Sequence, residues 1–232
     1  KQTIDEDYLT LTMHDIYTFA KEVQIDDVKE LLDQMIACNT AIAQEGMHGD
    51  YGANIGKVIA IRKDLPSLLK AYAAAGSDAR MNGCELPVVI NSGSGNQGLT
   101  VSVPLIIYAE REHLDKEKLY RALVISNLTA IHLKTEIGRL SAFCGAVSAG
   151  AACGAGLAYL KDASEEVMNH TIVNALAITS GIICDGAKAS CAAKIAVSVE
   201  AGILGYDMYM NGQQFYGGDG IISKGIENTI HN

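Results

Sequence analysis

The run Ser141-Ala142-Phe143-Cys144-Gly145-Ala146-Val147-Ser148-Ala149-Gly150-Ala151-Ala152-Cys153-Gly154-Ala155-Gly156 is built almost wholly of small residues and lies in a helix predicted over 137–160. Glycine inside a helix costs about 0.8–1 kcal/mol relative to alanine. Something must offset that loss, and close approach of other backbones, or of a bulky ligand, is the natural means. Apolar helical patterns flank the run, over 99–112 and 116–135 before it and over 165–183 and 187–204 after it. Further upstream, Thr12 is an N-cap for a helix over 13–23 and Asp26 for one over 26–44. In the latter, Val28, Leu31, Leu32, Met35 and Ile36 form one apolar stripe. Gly46 to Gly52 reads as a break. Pro66 suits the first turn of a helix over 67–75 that Gly76 ends. The reading is mainly α: a single multi-helix domain with closely packed Gly/Ala-rich central helices. It holds at most one short strand near 86–90, and the stretch 205–220 reads as loop.

Composition narrows the function. The 232 residues are 49% hydrophobic and 19% charged, which excludes a disordered chain. Aromatic residues make up 6%, with no Trp, so Ala, Ile, Leu, Val and Gly must build the core. A net charge of −9 argues against nucleic acid and anionic membrane surfaces as partners. Polar residues such as Asn174, Thr179, Lys194 and Glu200 interrupt the apolar stretches before they reach spanning length. No secretory leader is visible, and six cysteines are too few for a disulfide framework. A cytoplasmic protein with reduced thiols is expected. The chain opens at Lys1 and stops at Asn232 after a helix-like start, as part of something longer would.

Two constellations carry chemistry. Gly93-Ser94-Gly95-Asn96-Gln97-Gly98 follows the apolar 86–90 stretch and matches a dinucleotide fingerprint in miniature. Pro104 within the following helix, and no acidic residue at a strand end about 20 positions on, weaken that match. A glycine-rich helix connection is one alternative. A nest of backbone N–H groups with Ser94, Asn96 and Gln97 around a carboxylate is another. The second constellation is the cysteines. Singly, Cys38, Cys84, Cys144, Cys153, Cys184 and Cys191 each read as small buried hydrophobes. Cys184 and Cys191, however, face one another across an Asp185-Gly186 turn near a helix N-terminus, which favours thiolates. Lys188 and Lys194 stand three residues either side of Cys191 and add positive charge. Cys144 opens the small-residue helix, where glycines leave room for an object larger than a zinc ion. Three cysteines so arranged would hold an iron–sulfur cluster with one iron left open.

At these residues the chain resembles a known family. Gly95-Asn96-Gln97-Gly98, Gly138-Arg139-Leu140-Ser141-Ala142-Phe143-Cys144-Gly145-Ala146, and Ile183-Cys184-Asp185-Gly186-Ala187-Lys188 with Ser190-Cys191-Ala192 and Lys194 resemble the L-cysteine desulfidases. These are relatives of the alpha-chain-like domain of iron–sulfur L-serine dehydratases. The resemblance implies one α-helical iron–sulfur domain over 1–232 and a lyase that works without pyridoxal phosphate. Its [4Fe–4S] cluster would be held by Cys144, Cys184 and Cys191. The reaction would be β-elimination of L-cysteine to pyruvate, ammonia and hydrogen sulfide. L-serine dehydration, or a non-catalytic cluster or amino-acid-binding module, are the alternatives. Ser94, Asn96, Arg139 and Lys188 are candidates for substrate binding. His132 reads as a helix-face histidine or a proton shuttle. The family's proton-acceptor cysteine, in a Cys-Thr-Glu-Pro-like stretch, has no match here, and the chain corresponds to about the C-terminal half of the family's length. The base is then expected on a further N-terminal segment or a companion chain. Small-residue helices can also pack between subunits, which leaves a homo-oligomer open.

Overall fold

The computed structural model describes residues 10–138 and 141–232. Ten helices follow one another: α1 Met13–Glu22, α2 Ile25–His48, α3 Ile55–Ala60, α4 Leu65–Met81, α5 Gly95–Arg111, α6 Lys116–Ile137, α7 Gly145–Leu160, α8 Glu165–Thr179, α9 Ser190–Met210 and α10 Ile226–His231. Side-chain oxygens start several of them. Thr12, Asp64, Ser94, Asp115 and Ser164 each accept a backbone N–H of the first turn. No sheet is present among the described residues, only isolated bridges. No helix among them is long and apolar enough to cross a membrane.

The small residues set the architecture. A Cβ built on Gly150 would lie 2.4 Å from the Ser198 carbonyl oxygen, and one on Gly154 would lie 2.8 Å from the Gly202 Cα. The backbones of α7 and α9 therefore touch, in parallel register. A Cβ on Gly145 would meet the Gln97 side chain and one on Gly156 would meet Leu105, so α5 also runs parallel to α7. The helices between them run the other way. Ser126 of α6 bonds the Val101 carbonyl while Gly156 approaches Ala122. Lys70 of α4 pairs with Glu200 of α9, and Ala74 packs on Ala192 and Ala196. The bundle thus gathers the N-termini of α5, α7 and α9, with the C-termini of α4, α6 and α8, at one end.

Local signals were overridden where packing demanded it. Gly46 and Gly76, expected as helix breaks, lie inside α2 and α4. Gly46 lets the Ala75 carbonyl approach to within 2.0 Å of where a Cβ would stand. The 86–90 stretch forms no strand. It crosses the first turn of α5, with the Val89 carbonyl pressed on Gly98, and Asn39 of α2 takes the hydrogen bonds a sheet would supply. Helix α9 continues to Met210, six residues past its expected end, while α8 stops at Thr179, four short of it.

Candidate functional site

Each of the three gathered N-termini carries residues singled out from the sequence. Cys144 is the N-cap of α7, and Cys191 is the second residue of α9. Cys184 lies in the loop between α8 and α9 rather than closing α8. That loop is pinned to the segment before α7: Phe143 and Ile183 form an antiparallel bridge, and the Cys184 N–H donates to the Ala142 carbonyl at 2.7 Å. Cys144, Cys184 and Cys191, far apart in order, are thus placed at the same end of the bundle. Cys144 and Cys191 are each 8% exposed, whereas Cys184 is exposed. Burial pushes the Cys144 thiol above its ordinary range, and the neighbouring cysteines add to that rise, while the Val147 and Ala146 amides act against it. The Cys191 thiol points at the Gly186 carbonyl, 3.6 Å away. Of the other cysteines, Cys153 is fully buried inside α7 and its thiol is pushed far up by burial alone.

Basic residues frame this end. Lys194 pairs with Asp185 and donates to the Ile183 carbonyl at 3.3 Å, which ties the Cys184 loop to α9. That contact holds Asp185 below the usual carboxylate range and Lys194 above the usual lysine range. Lys134, in the last turn of α6, is 7% exposed. Burial lowers its pKa, and Cys144 and Cys184 oppose that shift as they ionise. It was passed over in the sequence because a lysine in a last helical turn reads as an ordinary dipole partner. Lys188 is exposed and makes no side-chain bond among the described residues. Arg139 lies outside the described residues.

The glycine-rich turn before α5 reaches the same end. Ser94 is half-buried and caps α5 by accepting the Gln97 N–H. Asn96 is buried and accepts from Arg80 Nη1 at 3.3 Å. Gln97 packs against Gly145, beside Cys144, and its Oε1 is buried with no partner. The turn therefore joins α4, α5 and α7 at the cysteine end. A dinucleotide reading lacks its context, since no strand precedes the turn among the described residues. Pro104 turns out to be no obstacle to the helix, because α5 is buried along nearly its whole length and packing sustains it through the proline.

A cavity of about 320 Å³ opens beside Cys144, between the last turn of α6, the start of α7 and the end of α8. That volume is at the low end of the about 300–1,000 Å³ usual for small-molecule sites. Ser141, Ser148 and Thr179 supply polar groups to its wall, and Glu136 Oε1 lies 2.9 Å from His231 Nδ1 there. Cys184 and Cys191 do not line it. His132 has a structural role: it is 2% exposed, and its Nε2 meets Glu227 at 2.8 Å. The other oxygen of Glu227 accepts the Met13 N–H.

Among the described residues no three His, Cys, Asp or Glu side chains converge tightly enough to hold a single metal ion. A zinc ion, with metal–sulfur bonds of about 2.3 Å, draws its donors into contact. A four-iron cube spreads its thiolates wider. Cys144, Cys184 and Cys191, two buried and one exposed, match that larger group in donor chemistry and in number.

Comparison with known proteins identifies a family. The model of the serine dehydratase alpha chain family matches residues 2–232. A UPF0597 protein of Desulfitobacterium hafniense is 62% identical over 96% of this chain and 52% of its own length. One of Finegoldia magna is 51% identical over 97% of this chain and 54% of its own. One of Fusobacterium nucleatum is 45% identical over 97% and 55%. The chain spans about half the length of the curated relatives it matches. No solved structure matches it. With nearly every residue covered by that model, the chain belongs to the serine dehydratase alpha chain family.

Proposed function

We propose that this chain is the cluster-bearing domain, over residues 1–232, of a lyase that performs β-elimination on a small amino acid without pyridoxal phosphate. L-cysteine is the first substrate, yielding pyruvate, ammonia and hydrogen sulfide. The observation that carries the reading is the placement of Cys144, Cys184 and Cys191 at one end of the bundle, with Cys144 lining a cavity there, in a chain of this family. These three thiols would hold a [4Fe–4S] cluster. When bound, that group supplies an iron without a protein ligand, a Lewis acid for the substrate's carboxylate and leaving group.

The chain's own residues prepare the site. The Val147 and Ala146 amides in the first turn of α7 act on the Cys144 thiol against the rise that burial imposes. The Asp185–Lys194 pair fixes the loop that carries Cys184. Ser94 and Asn96, on the turn before α5, with Arg139 and Lys188, are assigned to the substrate carboxylate. Cys38 and Cys84 are half-buried, and neither lies in the sequence context of the related desulfidases' proton acceptor, so the α-proton base is assigned to a segment or companion chain outside these residues.

The test is anaerobic reconstitution of the full-length protein with iron and sulfide. A cluster chromophore lost in each of Cys144→Ser, Cys184→Ser and Cys191→Ser is expected, with sulfide and pyruvate released from L-cysteine. Residues 1–232 alone should take up the cluster yet release no pyruvate. Pyruvate from L-serine but no sulfide from L-cysteine would support dehydration instead, the reading that the family's description favours. Binding of either amino acid without turnover by the full-length protein would mark a sensor and overturn the lyase assignment.

A further inference from the structure

Three large apolar side chains stand in water around the cysteine end. Phe143 is 58% exposed, Ile183 59% and Ile221 39%. None of them belongs to a helix. They are neighbours. Phe143 and Ile183 face one another across the antiparallel bridge that joins the segment before α7 to the loop after α8, so their side chains rise from the same side of it. Phe143 and Ile221 both line the cavity beside Cys144. Cys184, next to Ile183, is exposed, and so is the loop after it through Lys188. Single apolar residues on a surface need no explanation, but a cluster of them at the rim of a cavity marks a contact surface.

Length and chemistry say what covers it. The chain spans about half the length of its curated relatives, 52% in the Desulfitobacterium hafniense protein. In the lyase reading the α-proton base lies outside residues 1–232. That base must come within hydrogen-bond reach, about 2.6–3.2 Å, of a substrate held at the cysteine end. The part of the full-length chain that carries it must therefore lie over this end. A second copy of residues 1–232 brings no such group.

We infer that Phe143, Ile183 and Ile221 form the docking surface for the part of the full-length chain outside residues 1–232, which covers the cysteine end and shields Cys184 from water. This rests on the lyase reading above. Interfaces between domains of one chain bury about 600–1,500 Å². Three side chains cannot supply that area, so polar groups around them complete the rim. Phe143 touches both the bridge to Ile183 and the cavity wall shared with Ile221, which makes it the anchor.

The experiment uses the cluster-free full-length protein, so that its outcome does not depend on iron. Labelling of Cys184 by a neutral maleimide is followed by peptide mass spectrometry in wild type, Phe143→Asp, Ile183→Asp and Val197→Asp. Val197, 52% exposed on α9, is the control. In wild type Cys184 should react at least about 10-fold more slowly than in the urea-unfolded protein. Phe143→Asp and Ile183→Asp should each remove most of that protection and let brief proteolysis separate the two halves, while Val197→Asp changes neither. Both side chains are exposed within residues 1–232, so the circular dichroism of the variants should stay that of wild type. Labelling of wild-type Cys184 as fast as in urea, or protection that survives both substitutions, would overturn the inference. Protection that falls on dilution in step with a dimer-to-monomer change in sedimentation would overturn it too, since a second copy would then be the cover. Reconstitution separates this inference from the lyase reading. A protected Cys184 in a wild-type protein that takes up no cluster would overturn the lyase reading and leave the docking surface in place. Cluster uptake and pyruvate release with Cys184 unprotected would do the reverse.

Discussion

Gly150→Ala probes the contact on which the site's geometry depends. In an isolated helix the change is favourable by about 0.8–1 kcal/mol. Here the new methyl would stand 2.4 Å from the Ser198 carbonyl oxygen and 2.5 Å from its carbon. Both are backbone atoms of α9, which no rotamer change can move, so α7 and α9 must part by about 1 Å to reach ordinary contact. Overpacking of this kind costs about 1–3 kcal/mol. The net expectation is a loss of about 1–2 kcal/mol, which in a chain of this size lowers Tm by about 2–8 °C. Gly76→Ala is the matched control. Its methyl would crowd the Leu99 side chain, at 3.0 and 3.3 Å, and stand at ordinary contact, 3.6 Å, from the Ala43 Cα, so its gain in propensity should roughly cancel the crowding. Thermal unfolding of the cluster-free protein, followed by circular dichroism, compares the two. Because α7 carries Cys144 and α9 carries Cys191, Gly150→Ala should also reduce iron retained after reconstitution, and Gly76→Ala should not. Equal Tm values for the two variants, or a rise for Gly150→Ala, would refute the claim that backbone contact holds these helices together.

Asn39, fully buried, offers two N–H groups to the Val89 carbonyl, the Gly98 carbonyl and Ser102 Oγ, and accepts the Val89 N–H at 2.8 Å. Asn39→Ala should cost about 2–4 kcal/mol in urea unfolding, since it strands several buried backbone groups. A loss below about 1 kcal/mol would mean that water replaces it. Asp78 is buried with one oxygen unpartnered; burial raises its pKa, against the Gly56 and Ile55 amides and Lys57. The folded state therefore binds this proton more tightly than the unfolded state, and stability gained from it grows as pH falls from neutrality toward the ordinary Asp range. Asp78→Asn should flatten that slope and raise the neutral-pH urea midpoint; an unchanged slope would count against it. Glu227→Ala removes the carboxylate shared by His132 and the Met13 N–H, and should lower stability by about 1–3 kcal/mol, read as a fall in the urea midpoint. Glu227→Gln should recover part of it, and equal losses for both variants would contradict the shared-acceptor role.

Some helices were legible because their starts are chemical, but Asp26, expected to cap α2, lies in its first turn behind Gln24, and α7 starts at Gly145 rather than at 137. Thr12 caps α1 as expected, and the small-residue run over 145–160 is a helix packed backbone to backbone on its neighbours. What could not be read was the purpose of each glycine. Gly46 and Gly76 carry the same local signal as a glycine that ends a helix, and only the approach of Ala75 or Leu99 distinguishes them. The apolar 86–90 stretch had strand composition, but a strand needs a partner. Asn39, about 50 positions away, supplied the hydrogen bonds instead. Short α3 had no periodicity long enough to register. At the cysteine end, spacing placed Cys144 and Cys191 at helix starts. It could not reveal that Lys134 is largely buried there, because burial is a property of the assembled bundle.

The two features of this end depend on each other. Alternating helix directions put positive N-termini and basic C-terminal residues together, so the end is rich in groups that favour anions, and its one nearby loop acid, Asp185, is already held by Lys194. Such a concentration is unfavourable unless something rigid maintains it, and the glycine contacts between α5, α7 and α9 provide that rigidity. Larger residues at Gly145, Gly150 or Gly202 would relieve the helix-propensity loss, but they would also spread Cys144 from Cys191. The small-residue run is therefore a cost in local helix stability that the bundle accepts in order to keep three helix N-termini assembled at one end.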